Sequence, residues 1–199
     1  SDEIRLLQFV FGYATVTLGE IAHYSNTRID AQKLTADSYV GVDNLLPDRA
    51  GKTTSDYVPT TGKWAAYFKE NILIGNIRPY LKKIWFATND GGTNGDVLVI
   101  QCNEDITLPK FLYYVLASDR FFNYDNSYAK GAKMPRGDKE LVMQYSFYIP
   151  SLERQAEIVS ILDRFDALCN DLTSGLPAEI EARQKQYEYY RNRLLTFKE

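Results

Sequence analysis

The sequence predicts an α+β fold in which a β-rich part, residues 1–150, is followed by a helical arm, residues 151–199. Short runs of β-branched and aromatic residues, separated by turn residues, dominate the first part. From Ser151 onwards, apolar residues recur every three or four positions, which is the spacing of an amphipathic helix. Strands therefore come first and helices last, an order typical of α+β proteins.

The composition is that of a globular protein. The 199 residues allow one good core and are few for two. A hydrophobic content of 45% and a charged content of 25% exclude wholesale disorder. No apolar run approaches the length of a membrane span and no charged-then-apolar leader opens the chain, so we expect a cytoplasmic protein without a membrane partner. Cys102 and Cys169 fit buried thiols of a reducing compartment better than a disulfide framework.

Motifs for catalysis are missing from the sequence. Gly51-Lys52-Thr53 resembles the end of a phosphate-binding loop, but the first glycine of that motif would fall on Leu46. Pro47-Asp48 is not followed, before the arm, by the acid-x-lysine pair of a metal-dependent nuclease. Neither the Asn-Pro-Pro-aromatic motif of amino-methyltransferases nor a glycine-rich dinucleotide fingerprint occurs. With His23 as the single histidine, the sequence predicts no enzymatic activity, no metal and no cofactor.

Turn residues divide the β-rich part into short elements. Helix-like spacing over residues 1–12 ends at Gly12, and Thr17 with Glu20 forms a capping-box pattern before a short helix. Residues 44–55 and 89–95 look like exposed turns, the second because its glycines and asparagines tolerate positive φ. Pro109 opens a helix that runs to about Ser118, and residues 123–138 are polar, aromatic and glycine-bearing. We expect strands at 38–42, at 96–102 in the centre of a sheet, and at 143–149. Three further strands, at 64–68, 72–77 and 81–87, are expected to form a compact meander.

The arm contains two helical patterns. The first places Ile158, Leu162, Phe165, Cys169 and Leu172 on one face. After a break at Ser174-Gly175, a heptad seam starts, and Pro177 suits the first turn of its helix. Two arrangements remain open: the helices pack as a hairpin or on the chain's own core, or the second helix mates with another chain. The residues predicted for such a dimer contact are Leu176, Ile180, Tyr187, Tyr190, Leu194 and Phe197.

Positive charge is concentrated in two segments of an otherwise acidic chain, whose net charge is −3. The first basic segment, residues 78–83, contains three cations and an aromatic residue, and Lys63 precedes it. The second basic segment, residues 130–136, contains three more cations on a backbone that glycine and proline constrain. Such segments bind phosphates, although solvated surface loops have the same composition. The candidate DNA-binding residues are Lys63, Arg78, Tyr80, Lys82, Lys83, Lys130, Lys133 and Arg136.

Several separate motifs, in order along the chain, resemble the specificity subunit of type I restriction-modification enzymes. They are IGNIRPYLKK at 74–83, FLYYVL at 111–116, AKGAKMPR at 129–136, IPSLERQ at 149–155 and GLPAEIEAR at 175–183. The resemblance implies a target recognition domain over 1–150 that reads one half of a split DNA sequence, and a conserved helical spacer over 151–199. Members of that family carry two of each, so this chain looks like a half-length form.

The resemblance also implies partners. Methyl transfer, S-adenosylmethionine binding and DNA cleavage belong to methyltransferase and restriction subunits in that family, which agrees with the missing motifs. We therefore expect a non-catalytic, sequence-specific binder of double-stranded DNA that forms a homodimer through its arm. Loops 44–55 and 89–94 are expected to carry base-reading side chains, because specificity usually lies on exposed loops joined to rigid strands. The alternatives are a protein-interaction adaptor that dimerises through its arm, and a stand-alone DNA-modifying enzyme.

Overall fold

The computed structural model describes residues 2–171 and 177–196. The α-helices in these residues are α1 (Asp2–Phe11), α2 (Leu18–Ile21), α3 (Pro109–Leu116), α4 (Asp119–Tyr128), α5 (Lys139–Met143), α6 (Leu152–Asp171) and α7 (Pro177–Leu195). The strands are β1 (Tyr13–Thr17), β2 (Ala22–Tyr24), β3 (Arg28–Asp30), β4 (Tyr39–Val40), β5 (Lys63–Tyr67), β6 (Ile72–Gly75), β7 (Ile84–Phe86), β8 (Gly91–Thr93), β9 (Val97–Cys102) and β10 (Ser146–Pro150). The α+β class predicted from the sequence is confirmed.

The strands form three sheets. The central sheet has the order β2-β9-β6-β7 and is antiparallel throughout. A second sheet has the order β3-β5-β8-β4, in which β4 runs parallel to β8. The two strands β1 and β10 pair antiparallel and bring the beginning of the described chain beside the start of the arm.

The central sheet separates two hydrophobic cores. Along β9, Leu98 and Ile100 face the larger core, which also contains α3 and α4. Val97 and Val99 face the smaller core, which Tyr67 and neighbouring apolar residues complete. Successive side chains of a strand point to opposite faces, so an uninterrupted apolar run requires cover on both sides. The prediction of a central strand at 96–102 is therefore confirmed.

The local predictions near the beginning of the chain are also confirmed. The helical pattern over residues 1–12 corresponds to α1. At the start of α2, the backbone N–H and the hydroxyl of Thr17 both donate to the Glu20 carboxylate, at 2.6 and 2.8 Å. These contacts satisfy groups that a helix end leaves unpaired.

The predicted meander is wrong. Only β6 and β7 of its three strands pair with each other, whereas β5 belongs to the second sheet. The connection from β5 to β6 turns through Glu70, which has a φ of 70°. Strand partners depend on which faces are buried together, and the spacing of three β-prone runs does not encode that choice.

The glycine-rich turn predicted at 89–95 is also wrong in its middle. Gly91 and Gly92 lie in β8, are buried, and do not have positive φ. A Cβ on Gly91 would lie 1.9 Å from the Ser38 carbonyl oxygen, and one on Gly92 would lie 2.7 Å from Ile29 Cγ2. The glycines are therefore required for close packing between strands, not for a turn.

Two helices were not expected. The first part of the polar segment 123–138 lies in α4, where the Ser118 hydroxyl caps the helix by accepting from the Phe121 N–H at 3.3 Å. Asp138 caps α5 in the same way, and the last strand accordingly begins at Ser146 and not at Met143. Both caps are single polar residues in front of short helices, a weak signal within a polar stretch.

The helices predicted for the arm are present as α6 and α7, and they pack on each other. Ile158 and Leu162 of α6 belong to the larger core, so the first arm helix also packs against the β-rich part. Hydrogen bonds extend this contact, because the Gln155 side chain donates to the Ile106 and Pro150 carbonyls and accepts from the Leu108 N–H. No helix among the described residues is both long and apolar enough to span a membrane.

Candidate nucleic-acid interface

The fold joins the two basic segments. The Arg78 N–H donates to the Pro135 carbonyl at 2.7 Å, and Ile77 forms an antiparallel bridge with Arg136. Within the second segment, Lys130 and Arg136 exchange two backbone hydrogen bonds of 2.9 Å, which closes the segment into a tight loop. Residues more than 50 positions apart thus form one continuous surface, although the sequence places them in separate loops.

A close backbone approach at Gly137 holds the second basic segment in place. The Gly137 N–H donates to the Asn76 carbonyl at 3.1 Å. A Cβ on Gly137 would lie 2.4 Å from Asp125 Oδ1 and 2.8 Å from Asn76 Oδ1. Asn76 and Asp125 are 4% and 2% exposed, so neither side chain has room to withdraw. The glycine therefore sets how closely this segment approaches β6 and α4.

Asp125 is an unusual part of this arrangement. Among the described residues, neither of its carboxylate oxygens has a hydrogen-bond partner, and the Asn76 side-chain oxygen has none either. Burial raises the pKa of Asp125 to about 6, because the charged form is poorly solvated there. The group also lies in the surroundings of Tyr24, whose pKa is raised by burial first and by Asp125 second.

Three clefts open beside the joined segments and share Asn94. The first, of about 260 Å³, is lined by the side chains of Arg78, Lys83 and Arg136 and by two acids, Asp43 and Asp96. The second, of about 450 Å³, is lined by Asp43 and by polar residues of loop 44–55. The third, of about 180 Å³, lies beside Lys139. The surface thus places cations, carboxylates and side-chain amides next to one another.

Several of the predicted DNA-binding side chains are free to contact a ligand. Arg78, Tyr80 and Lys133 are exposed and, within the described part of the chain, make no side-chain hydrogen bond or ion pair. Lys63 is also exposed and unpaired there, but it begins β5 and lines none of the three clefts. The structure therefore joins the two segments that carry Arg78 and Lys133 and leaves Lys63 apart.

The other predicted cations already have partners within the chain. Lys130 pairs with Asp138 at 2.9 Å, and Arg136 pairs with Asp96 at 3.2 Å. The hydrogen bond from Lys130 lowers the pKa of Asp138 below its ordinary value. Lys83 donates to the Val42 carbonyl at 2.8 Å, and Lys82 pairs with Asp119 at 2.7 Å. The ion pairs of Lys130 and Arg136 are solvent-exposed, and exposed pairs of this kind exchange partners at little cost.

The residues predicted for a dimer contact are in different situations. Tyr187 and Leu194 pack against the larger core of their own chain, as the hairpin alternative requires. Tyr190 stacks on Phe165 of α6, with ring centroids 5.5 Å apart and an angle of 19° between the rings, and keeps an exposed edge. Leu176, Phe197 and the side chain of Ile180 lie outside the described residues.

Other residues of this surface were not found from the sequence. Asp43 and Asp96 line the clefts but carry no motif, and Asp119 forms an ion pair with Arg49 of loop 44–55 across 70 positions. Only the position of Asp43 and Asp96 in polar stretches next to strands could have indicated these two residues. Among the described residues, no group of three or more His, Cys, Asp or Glu side chains is arranged to hold a metal.

The chain belongs to the family described as the type I restriction modification DNA specificity domain, which it matches over residues 12–182. The prediction of a type I specificity subunit is thereby confirmed. Because this family comprises specificity domains, the chain is not itself an enzyme.

Individual relatives agree with this assignment. The chain is 38% identical over 104 residues to the type I restriction enzyme EcoR124I/EcoR124II specificity subunit of Escherichia coli, covering 52% of this chain and 26% of that protein. It is 36% identical over 114 residues to a putative type I restriction enzyme specificity subunit of Haemophilus influenzae, covering 57% and 28%. The matched stretches thus cover only about a quarter of the length of these curated relatives.

Solved structures share the fold. The HsdS subunit from Thermoanaerobacter tengcongensis superposes with a TM-score of 0.63 and 23% identity, covering 83% of this chain and 44% of that one. The type I restriction-modification S subunit from M. genitalium superposes with a TM-score of 0.55 and 16% identity, covering 81% and 41%.

Proposed function

We propose that this chain is a non-catalytic, sequence-specific DNA-binding part of a type I restriction-modification system. It would read one half of a bipartite duplex target and dock methyltransferase subunits, which in turn assemble with restriction subunits. The observation that carries the proposal is the joining of the two basic segments by the Arg78–Pro135 hydrogen bond and the Ile77–Arg136 bridge. A single cationic surface beside polar clefts can contact the DNA backbone and the base edges at once.

The side chains divide into two roles by their exposure and neighbours. Arg78 and Lys133 have no internal partner in the described part of the chain, which suits contacts to phosphates that carry no sequence information. Arg136 lines the first cleft together with Asp96 and Asn94. Arginine, carboxylate and amide groups are those that read guanine, cytosine and adenine. Loop 44–55 would supply further base contacts, and of loop 89–94 only its end at Asn94 reaches the clefts.

Salt-dependent binding to a duplex tests the phosphate role. Lys133→Ala should weaken binding to cognate and unrelated duplexes alike and reduce the slope of log K against log salt by about one unit. Lys185→Ala is the matched control, because this lysine is exposed on α7 and its ion pair is with Glu181 of the same helix. Unchanged affinity and slope for Lys133→Ala would contradict the proposal, and an unmodified chain that binds no duplex would favour the adaptor alternative.

A change of specificity tests the base-reading role. Arg136→Ala should cost about 1–3 kcal/mol on the cognate duplex and much less on unrelated duplexes. Exchanging loop 44–55 for that of a relative with another target should change which adenines are modified when the methyltransferase partner is added. Retention of the original modified sequence after the exchange would exclude this loop from base reading.

We also propose that two copies join through their arms, because a bipartite target needs two recognition domains at a fixed separation. Tyr187 and Leu194 pack against the larger core of their own chain, so the contact between copies would involve the exposed side of the hairpin. Leu168, Tyr189 and Tyr190 on the hairpin are 48%, 57% and 36% exposed. An isologous contact of this kind makes the two DNA half-sites inverted copies of each other.

The assembly is tested by sedimentation of the full chain. Leu168→Glu combined with Tyr190→Glu would place unpaired charge in the contact and should convert a dimer into monomers. The control is Glu181→Gln, an exposed change on the same helix. A monomeric unmodified chain at tens of micromolar, or a mapped target with unrelated halves, would refute the symmetric arrangement.

A further inference from the structure

A buried arginine links the helical arm to the β-rich part. Arg191 of α7 is 2% exposed, and its guanidinium carbon lies 5.4 Å from the centre of the Tyr187 ring. Its Nε and Nη2 atoms have no hydrogen-bond partner among the described residues. A buried cation is costly unless it is paired, and the one carboxylate within 4 Å of it in the described part is Asp119, with Nη2 3.9 Å from Oδ2.

Asp119 is shared by three cations from three separate segments. Its Oδ1 atom accepts from Arg49 of loop 44–55 and, at 2.7 Å, from Lys82 of the first basic segment. Its Oδ2 atom faces Arg191 of the arm. Burial alone would raise the pKa of Asp119, but the hydrogen bonds from Lys82 and Arg49 lower it below its ordinary value. One negative charge therefore serves three positive charges, so a stronger contact with one cation weakens the contacts with the others.

The backbone supports the same interpretation. Arg49 and Lys82 both adopt left-handed conformations, with φ of 64° and 51°, and the Arg49 N–H donates to the Lys82 carbonyl at 3.1 Å. Such a conformation is unfavourable for a residue with a side chain, and it persists only where the surroundings enforce it. Asp119 is the contact that the two side chains have in common. This carboxylate therefore holds both strained residues at the edge of the cationic surface.

We propose that Asp119 is a positioning residue that couples the position of α7 to that of loop 44–55 and of the first basic segment. Lys82 and Arg191 compete for its carboxylate. Lys82 is then part of this junction and not a phosphate contact, while Arg78 and Lys133 remain the phosphate contacts. The assignment of Lys82 rests on the proposed DNA-binding function, whereas the competition does not. Its consequence is that the position of the arm and the shape of the DNA-facing surface change together.

Hydrogen exchange of the full chain, followed over the α7 peptides, tests the competition without DNA. Lys82→Met removes a competitor, so Arg191 should pair more strongly with Asp119 and exchange in α7 should slow by at least about threefold. The same change should have no effect in an Arg191→Met or an Asp119→Asn background. Lys83→Met is the matched control, because this neighbouring lysine donates to the Val42 carbonyl and not to Asp119.

The outcomes separate this inference from the proposed function. The coupling would be overturned if Lys82→Met changed exchange in α7 equally in the unmodified chain and in the Arg191→Met and Asp119→Asn backgrounds. An equal change caused by Lys83→Met would also overturn it. If Arg191→Met fails to fold, Arg191→Lys serves as the second variant, since it keeps the charge and shortens its reach. In duplex binding, Lys82→Met should retain the salt slope that Lys133→Ala reduces, and a slope lowered by about one unit would make Lys82 a phosphate contact. Absence of duplex binding by the unmodified chain would refute the proposed function and leave the exchange result standing.

Discussion

Gly137→Ala probes the contact that joins the second basic segment to the rest of the surface. The added methyl group would lie 2.4 Å from Asp125 Oδ1, 3.1 Å from Asp125 Cγ and 2.8 Å from Asn76 Oδ1. Both neighbours are almost fully buried, so the conflict must be relieved by movement of the backbone at 130–137. Overpacking of this kind costs about 1–3 kcal/mol, and we expect a loss of unfolding free energy in that range. Urea unfolding of the full chain measures it.

The same change should also weaken duplex binding, because the Gly137–Asn76 hydrogen bond and the neighbouring Arg78–Pro135 bond position the two basic segments. Gly95→Ala is the control, since a Cβ there meets nothing within 4 Å and the residue does not have a positive φ. Its stability should stay within about 0.5 kcal/mol of the unmodified chain.

A second variant shows whether the clash itself is the cause. In an Asp125→Ala background the nearest oxygen is removed, so Gly137→Ala should cost at least about 1 kcal/mol less than it does in the unmodified chain. The reasoning is refuted if the glycine change costs the same in both backgrounds, or if Gly137→Ala is as stable as Gly95→Ala.

Three further predictions concern buried or capping groups. The pKa of Asp125 is raised to about 6 in the folded chain. The folded state therefore binds more protons than the unfolded state between about pH 4 and 6, and the free energy of unfolding should fall as the pH rises through this window. Asp125→Asn should remove this part of the pH dependence and raise the free energy of unfolding by about 2–3 kcal/mol at pH 7. Urea unfolding at several pH values measures this, and equal pH profiles of the two chains would contradict it. Burial raises the pKa of the Cys102 thiol to about 12. Alkylation of Cys102 at pH 8, followed by mass spectrometry, should therefore be far slower in the folded chain than in urea, and equal rates would show that the thiol is accessible. Glu20→Ala should cost about 1 kcal/mol in thermal unfolding because it removes the partner of Thr17, whereas the exposed Glu3→Ala should cost much less.

Patterns within a single element were sufficient to predict much of this protein. The Thr17–Glu20 capping box, the central strand at 96–102 and the helices on either side of residues 172–176 follow from spacing and composition over a few residues. The motifs of the two basic segments also indicated the family that the comparison confirmed. These signals are local because hydrogen bonding within a helix and the alternation of side chains along a strand are themselves local.

Only the tertiary structure decided which elements meet. Gly91-Gly92 has the composition of a turn, yet it is a buried strand, because Ser38 and Ile29 approach from other parts of the chain. The Arg78–Pro135 bond, the Gly137 contact and the sharing of Asp119 by three cations join residues separated by tens of positions. The side chains that a strand or loop faces depend on packing across the whole core, and the polar residues at such contacts follow no spacing rule of their own.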